Sequence, residues 1–302
     1  MRASRFAILS SLLLAVGCGG IDEGVDSVSD QGVDVQASGR GGGLVTGFAK
    51  PGGGTTNGIN YRGGPVMLGT VNVYYIWYGN WAGNTATTIM TDLAQNIGGS
   101  PYYNITASYN NGAGTNLSNS VHYAGSTTDN YSLGTSLTDA NIQSVVSSAI
   151  TSGRLPKDTN AVYFVLTSAD VTASSGFCTQ YCGWHTHGTI SGSDIKYSFV
   201  GNADRCPASC AQQSASSPNG NAGADAMASI FAHELEEAAS DPDLNAWYDN
   251  RGYENADKCA WTFGATYAVA NGSLANMKMG TRDYLIQQNW VNASGGFCAK
   301  SY

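Results

Sequence analysis

The stretch that decides the fold reads Asn219-Gly-Asn-Ala-Gly-Ala-Asp-Ala-Met-Ala-Ser-Ile-Phe-Ala-His-Glu-Leu-Glu-Glu-Ala-Ala-Ser-Asp-Pro242. It predicts a helix that ends before Pro242, because a residue preceding a proline is pushed out of the helical region. Successive residues of a helix are rotated by about 100°. One apolar arc therefore contains Met227, Phe231, Leu235 and Ala238. Such an arc packs against the rest of the protein.

Several charged or polar residues of this helix are predicted to face the protein interior, where an unpaired charge is unfavourable. His233 and Glu237 share the arc beside the apolar one, and Glu234 lies at the seam between the two arcs. We expect only Glu236 to point clearly to solvent. Unpaired buried charges are strongly unfavourable, and a divalent metal ion would relieve them.

The spacing of these residues resembles a zinc-protease helix. His233 and Glu237, at i and i+4, lie one turn apart, as the two histidines do in the motif His-Glu-x-x-His. We therefore predict zinc as a cofactor, with His233 and Glu237 as ligands and Glu234 as the catalytic general base. A helix with a solvated acidic edge and a lone histidine is the alternative, since short matches arise by chance. The small number of histidines, four in the chain, favours a site.

The third metal ligand stays open among five residues. Glu254 and Asp257 lie about as far downstream as the third ligand of gluzincins, and Asp243 lies where metzincin-like proteases place theirs. His185 and His187 would share one face if their segment is extended. We prefer one of these two histidines, because one histidine with two carboxylates makes a harder, weaker zinc site.

The N-terminus carries an export signal. Arg2 and Arg5 precede an apolar run over residues 6–16, which is too short to span a membrane as a stable helix. We predict a signal peptide over residues 1–17 and a lipid anchor at Cys18, because Leu-Ala-Val-Gly-Cys18 resembles a bacterial lipoprotein processing site. Ordinary signal cleavage is the alternative. Residues 18–60, rich in Asp and Gly, are expected to form a flexible linker.

The negative charge of the chain and its predicted export restrict the molecules that it is expected to bind. The net charge of −8 argues against nucleic acid and against anionic lipid bound through charge. Association with a membrane is expected only through the lipid anchor at Cys18. The expected localisation is therefore extracellular or on the cell surface, and the expected partner is a peptide or a polymer of the cell wall or surface.

Six cysteines remain once Cys18 is set aside, namely Cys178, Cys182, Cys206, Cys210, Cys259 and Cys298. An even number in an exported chain predicts three disulfides, for which the sequence leaves the connectivity open. The paired Cys-x-x-x-Cys spacings could instead hold zinc.

Alternating segments predict an α/β fold. Strands are expected over residues 66–78, 102–109, 121–123, 161–167 and 196–201, and helices around residues 89–97 and 139–150, before the His233 helix. We predict a single domain over residues 61–302, with a mixed sheet, packed helices, a zincin-like active-site helix and a disulfide-rich excursion.

Three segments resemble the phosphate-induced protein 1 family, also called EXORDIUM-like. They are Phe177-Cys-Thr-Gln-Tyr-Cys-Gly-Trp-His185, Tyr197-Ser-Phe-Val-Gly-Asn-Ala-Asp-Arg-Cys-Pro-Ala-Ser-Cys210 and Pro218-Asn-Gly-Asn-Ala-Gly-Ala-Asp-Ala-Met227. The resemblance implies an extracellular, cell-wall-associated protein and supplies no catalytic residues. The plant pattern lacks His-Glu-x-x-Glu at the last helix, so this chain, which we expect to be a bacterial member, departs from it there.

Two functional hypotheses follow. The first is a secreted or surface-anchored zinc-dependent hydrolase, in the first instance a metallopeptidase. In it, zinc would lower the pKa of a bound water to about 7 and Glu234 would take the proton. The second is a non-catalytic extracellular protein that binds the cell wall or another surface.

Overall fold

The computed structural model describes residues 58–302. The predicted signal peptide, the anchor at Cys18 and nearly all of the predicted linker lie outside the described residues. The α-helices are α1 (Ala86–Asn96), α2 (Asp139–Thr151), the single turn α3 (Pro207–Cys210) and α4 (Ala222–Ser240). Short 3-10 helices cover Tyr103–Ser108, Ala203–Arg205 and Asp257–Cys259. The strands are β1 (Asn60–Tyr61), β2 (Val71–Tyr78), β3 (Val121–Asp129), β4 (Ser136–Leu137), β5 (Ala161–Thr167), β6 (Thr172–Ala173), β7 (Gly183–Ile190), β8 (Ser193–Gly201), β9 (Trp247–Tyr248), β10 (Tyr267–Ala268), β11 (Leu274–Ala275), β12 (Met277–Met279), β13 (Arg282–Tyr284), β14 (Asn289–Val291) and β15 (Phe297–Ala299).

The central sheet has five strands in the order β3-β2-β5-β8-β7. The first four strands are parallel, and β7 pairs with β8 in the antiparallel sense. β5 is buried along its whole length, as expected for an apolar strand with neighbours on both faces. The predicted α/β class with a mixed sheet is confirmed.

Helices cover both faces of this sheet. A Cβ built on Gly183 of β7 would contact Ile230 of α4, whereas one built on Gly188 would contact Gln143 of α2. Residues five apart along a strand point to opposite faces, so α2 and α4 lie on opposite sides of the sheet. On the α4 side, the ring of Phe231 lies 4.7 Å from that of Phe164 in β5.

Helix α4 is the element nearest to the centre of the described chain. Asn221 caps it by accepting a hydrogen bond from the backbone N–H of Ala224. Every residue from Gly223 to Ser240 is buried. The prediction that Glu236 points to solvent is therefore wrong, because residues 102–109 and the C-terminal segment cover the face of α4 that carries it.

Three disulfides join the six described cysteines as Cys178–Cys206, Cys182–Cys210 and Cys259–Cys298. The predicted pairing is confirmed, and a zinc site built from these thiolates is excluded. The first two bonds fasten the segment before β7 to α3, just ahead of α4. The third bond holds the C-terminal strand β15 against the 3-10 helix Asp257–Cys259.

Most of the predicted elements are found, with one change of type. Residues 102–109 were expected to form a strand, but Tyr103–Ser108 is a 3-10 helix. Its hydroxyl groups satisfy nearby backbone carbonyls, as Thr106 donates to the carbonyl of Tyr103 and Ser108 to that of Ile105. Local bonds of this kind compete with a sheet ladder. Among the described residues, no helix is long and apolar enough to cross a membrane.

Candidate metal centre

Helix α4 and strand β7 approach closely at Gly183. A Cβ at this position would lie 2.5 Å from Cγ2 of Ile230, 2.9 Å from the carbonyl oxygen of Phe199 and 3.0 Å from Oε1 of Glu234. Such distances are shorter than real Cβ contacts, so only glycine fits here. The close approach puts the next residue on the same face of β7, His185, beside the following turn of α4.

The first group of facing side chains joins α4 to the loop that follows β9. Nε2 of His233 lies 3.0 Å from Oε2 of Glu237 and 3.6 Å from Oδ1 of Asp257. Oε1 of Glu237 accepts a hydrogen bond of 2.9 Å from the backbone N–H of Asp257. The 3-10 helix Asp257–Cys259 is thereby fixed against α4.

The second group adds strand β7. Nε2 of His185 lies 3.1 Å from Oε2 of Glu254. His185, Glu254 and Glu237 each present one donor atom, and these three atoms lie within 4.8 Å of one another. The same holds for His233, Glu237 and Asp257, so Glu237 belongs to both groups. We call these five residues the His–carboxylate cluster.

The cluster is almost closed to solvent. Its residues are at most 7% exposed, and Glu234, on the same helix, is fully buried. Three carboxylates that face each other away from water need protons or cations. Imidazole nitrogens and carboxylate oxygens are donors that zinc accepts in proteins. The arrangement could therefore hold a divalent metal ion.

Gln287 lies behind the cluster. Its side-chain nitrogen is 2.8 Å from Nδ1 of His233 and donates to the carbonyl of Ala256 at 3.1 Å. A histidine that ligates metal through Nε2 carries its proton on Nδ1 and needs an acceptor there. The Gln287 amide oxygen would take this acceptor position only if the bond to Ala256 were given up, and in the structure the amide fixes the orientation of the His233 ring.

Glu236 lies outside the two groups, although it too is fully buried. Burial raises the pKa of its carboxyl well above the usual range, so the neutral form is favoured. The same burial, together with the charge of Glu236, raises the pKa of the nearby Tyr103 phenol. The two neighbouring glutamates thus have different environments, one inside the cluster and one among tyrosines.

His187 and Asp243, two of the open candidates for third ligand, lie in a separate group near the surface. Nδ1 of His187 is 2.8 Å from Oδ1 of Asp194 and 3.6 Å from Oδ1 of Asp243. The ammonium of Lys196 pairs with both carboxylates and takes the position that a cation would need. Burial acts to raise the pKa of Asp194, but hydrogen bonds from Lys196 and His187 outweigh it and lower that pKa.

The predicted site residues thus separate into two sets. The structure brings His185 together with His233, Glu237, Glu254 and Asp257, and it places His187 outside that set. Sequence spacing marked Glu254 and Asp257 only as alternatives, because contacts across the fold leave no local signal. Gln287 was not predicted at all, because a glutamine in the loop between β13 and β14 carries no sequence pattern that points to it.

The turn after α4 is held by Asp241, whose Oδ1 accepts hydrogen bonds of 2.6 Å from the backbone N–H groups of Asn245 and Ala246. These two bonds brace the chain where it leaves α4. The turn directs the following chain back toward the cluster, where Glu254 and Asp257 lie.

Comparison with known proteins identifies the family. The family model described as "Phosphate-induced protein 1 conserved region" matches residues 59–287. The chain belongs to this family. The matched region includes all five residues of the His–carboxylate cluster and Gln287.

The relatives include plant proteins. The chain is 33% identical to Protein EXORDIUM-like 3 of Arabidopsis thaliana, over 77% of this chain and 80% of that protein. It is also 33% identical to Protein EXORDIUM-like 5 of the same plant, over 77% and 75%. Protein PHOSPHATE-INDUCED 1 of Nicotiana tabacum is 29% identical, over 63% of this chain and 67% of that protein. No solved structure shows a significant match.

Proposed function

We propose that this protein acts outside the cell as a non-catalytic domain that binds a cell-wall or surface polymer, and that the His–carboxylate cluster holds a structural metal ion. The observation that carries the proposal is the burial of the cluster, at most 7% exposed at every residue. Structural metal sites are closed, whereas catalytic sites keep a position open to substrate.

The compartment is supported by the disulfides. All six described cysteines are paired, and such bonds persist in oxidising compartments. The signal peptide over residues 1–17 and the lipid anchor at Cys18 belong to the same proposal. The names of the relatives refer to EXORDIUM and to phosphate induction and describe no hydrolytic activity.

Zinc is the metal that we propose first. The cluster offers two imidazoles and three carboxylates, which suit zinc better than they suit the all-oxygen preference of calcium or magnesium. α4 alone provides one imidazole, that of His233. His185 of β7 adds a second nitrogen donor. Bound zinc would join α4, β7 and the loop after β9.

A zinc metallopeptidase is the second candidate. It is favoured by one observation, the position of Glu234 between the two ligand candidates of α4, where its Oε1 reaches the face of β7 at Gly183. In such an enzyme, zinc activates a water and Glu234 takes the water's proton and passes it to the leaving amine. A peptide would have to reach a carboxylate that is fully buried in this structure.

Matched substitutions on one helix separate the two candidates. For the non-catalytic domain, the wild type, Glu234→Gln and the control Glu236→Gln should all show no hydrolysis of a broad peptide library. The wild type should also sediment with insoluble cell-wall polymer. For a peptidase, Glu234→Gln should lower hydrolysis by about 10²–10⁴-fold and Glu236→Gln should not. Turnover by the wild type, lost in Glu234→Gln alone, would overturn our proposal.

A further inference from the structure

We infer that the cluster is built for a pair of metal ions bridged by Glu237, a step that rests on the metal binding proposed above. The two groups of donor atoms share Glu237 and no other residue. One group adds His185 and Glu254, and the other adds His233 and Asp257. Each metal ion would thus take one imidazole, one terminal carboxylate and one oxygen of the bridge.

The spacing of the donor atoms fits this assignment. At bond lengths of roughly 2.0–2.2 Å, tetrahedral zinc holds neighbouring ligand atoms about 3.4 Å apart. In the first group, Nε2 of His233 is 3.0 Å from Oε2 of Glu237 and 3.6 Å from Oδ1 of Asp257. In the second group, Nε2 of His185 is 3.1 Å from Oε2 of Glu254. These three separations are close to the distance between neighbouring ligand atoms in one coordination shell, and the remaining donor atoms of each group lie within 4.8 Å.

Glu237 is able to serve both ions. A carboxylate has two oxygens with about four lone-pair positions. Oε1 of Glu237 accepts the N–H of Asp257, while Oε2 faces His233. A carboxylate that bridges through both oxygens suits the separation of roughly 3.5–4 Å between the ions of two-metal sites.

Charge also favours two ions over one. The cluster contains the carboxylates of Glu237, Glu254 and Asp257, and Glu234 adds a fourth, fully buried carboxylate on the same helix. Two divalent ions balance all four, which lowers the cost of keeping them away from water.

Zinc alone is the probe for this inference. The purified full chain, stripped with a chelator and dialysed against zinc, should contain about two zinc ions per chain. Anomalous scattering from its crystals at the zinc edge should show two peaks roughly 3.5–4 Å apart, on either side of Glu237. A single zinc ion would overturn the bridged pair and leave the structural metal site intact. No zinc at all would overturn both proposals.

Substitutions test which residues bind each of the two metal ions. Glu254→Gln and Asp257→Asn should each reduce the zinc content from about two ions to about one, and Glu237→Gln should reduce it below one. His187→Ala is the matched control, since His187 lies on the same strand as His185 but outside the cluster. It should retain both ions. Intact disulfides and a native circular-dichroism spectrum identify the variants that fold. Unchanged zinc content in a folded Glu237→Gln would contradict the bridge.

Discussion

At the scale of single residues, the cluster depends on which atoms surround each donor. Glu237 accepts a backbone N–H from Asp257 and faces His233, whereas Glu236, its neighbour, lies outside both groups. Helical periodicity predicted that His233 and Glu237 share one arc of α4. The structure confirms this, since their side chains are in contact. The same periodicity gave the wrong surroundings for Glu236. The periodicity of a helix shows which residues share a face. It does not show whether another segment of the chain covers that face.

Gln287 provides a test of metal binding at this scale. Replacing it with Leu removes the group that orients His233, so zinc affinity should fall by roughly 10–100-fold. Competition with a chromophoric chelator measures that affinity. Gln288→Leu is the matched control, because the side chain of Gln288 donates instead to the carbonyl of Cys298, and it should bind zinc as the wild type does. Equal affinity for both variants would contradict the orienting role of Gln287.

At the scale of elements, the sequence predicted those parts that depend on local patterns. β5 has the predicted bounds, and α2 begins at the predicted residue 139, directly after a capping box formed by Thr138 and Asn141. The 3-10 helix Tyr103–Ser108 was missed because its composition of aromatic and β-branched residues is typical of strands. Its one ring, that of Tyr103, is buried and lies near Glu236 of α4. The packing of α4 on β7 is a tertiary feature that one glycine makes possible.

Gly183→Ala tests that packing. The added methyl group would press on the backbone of Phe199 as well as on Ile230 and Glu234, so the free energy of unfolding should fall by about 1–3 kcal/mol. Urea denaturation measures the change. Gly188→Ala, on the opposite face of the same strand, is the matched control, since its Cβ would meet the end of the flexible Gln143 side chain. A Gly183→Ala variant as stable as Gly188→Ala would contradict the close approach of α4 and β7.

At the scale of the whole molecule, the cluster is assembled from distant parts of the chain. The sheet supplies His185, α4 supplies His233 and Glu237, and the C-terminal segment supplies Glu254 and Asp257. The disulfide Cys259–Cys298 spans 39 residues of this segment. By the chain-entropy model, closing a loop of this length disfavours the unfolded state by about 4 kcal/mol. Sequence analysis recognised the family and the paired cysteines, but it could not choose the third ligand, because that choice depends on how this segment folds back over α4.

The central claim is that metal bound by this cluster stabilises an extracellular domain, and metal removal tests it most directly. The measurement is the thermal unfolding midpoint of the full chain with excess zinc and with chelator, for the wild type and for His233→Ala. At a zinc concentration of 100 times Kd, binding adds about 2.7 kcal/mol, so the wild-type midpoint should rise by roughly 5–10 °C. The midpoint of His233→Ala should rise by less than that of the wild type, because this variant keeps the full ligand set of only one of the two ions. A wild-type midpoint that is the same in zinc and in chelator would contradict the account.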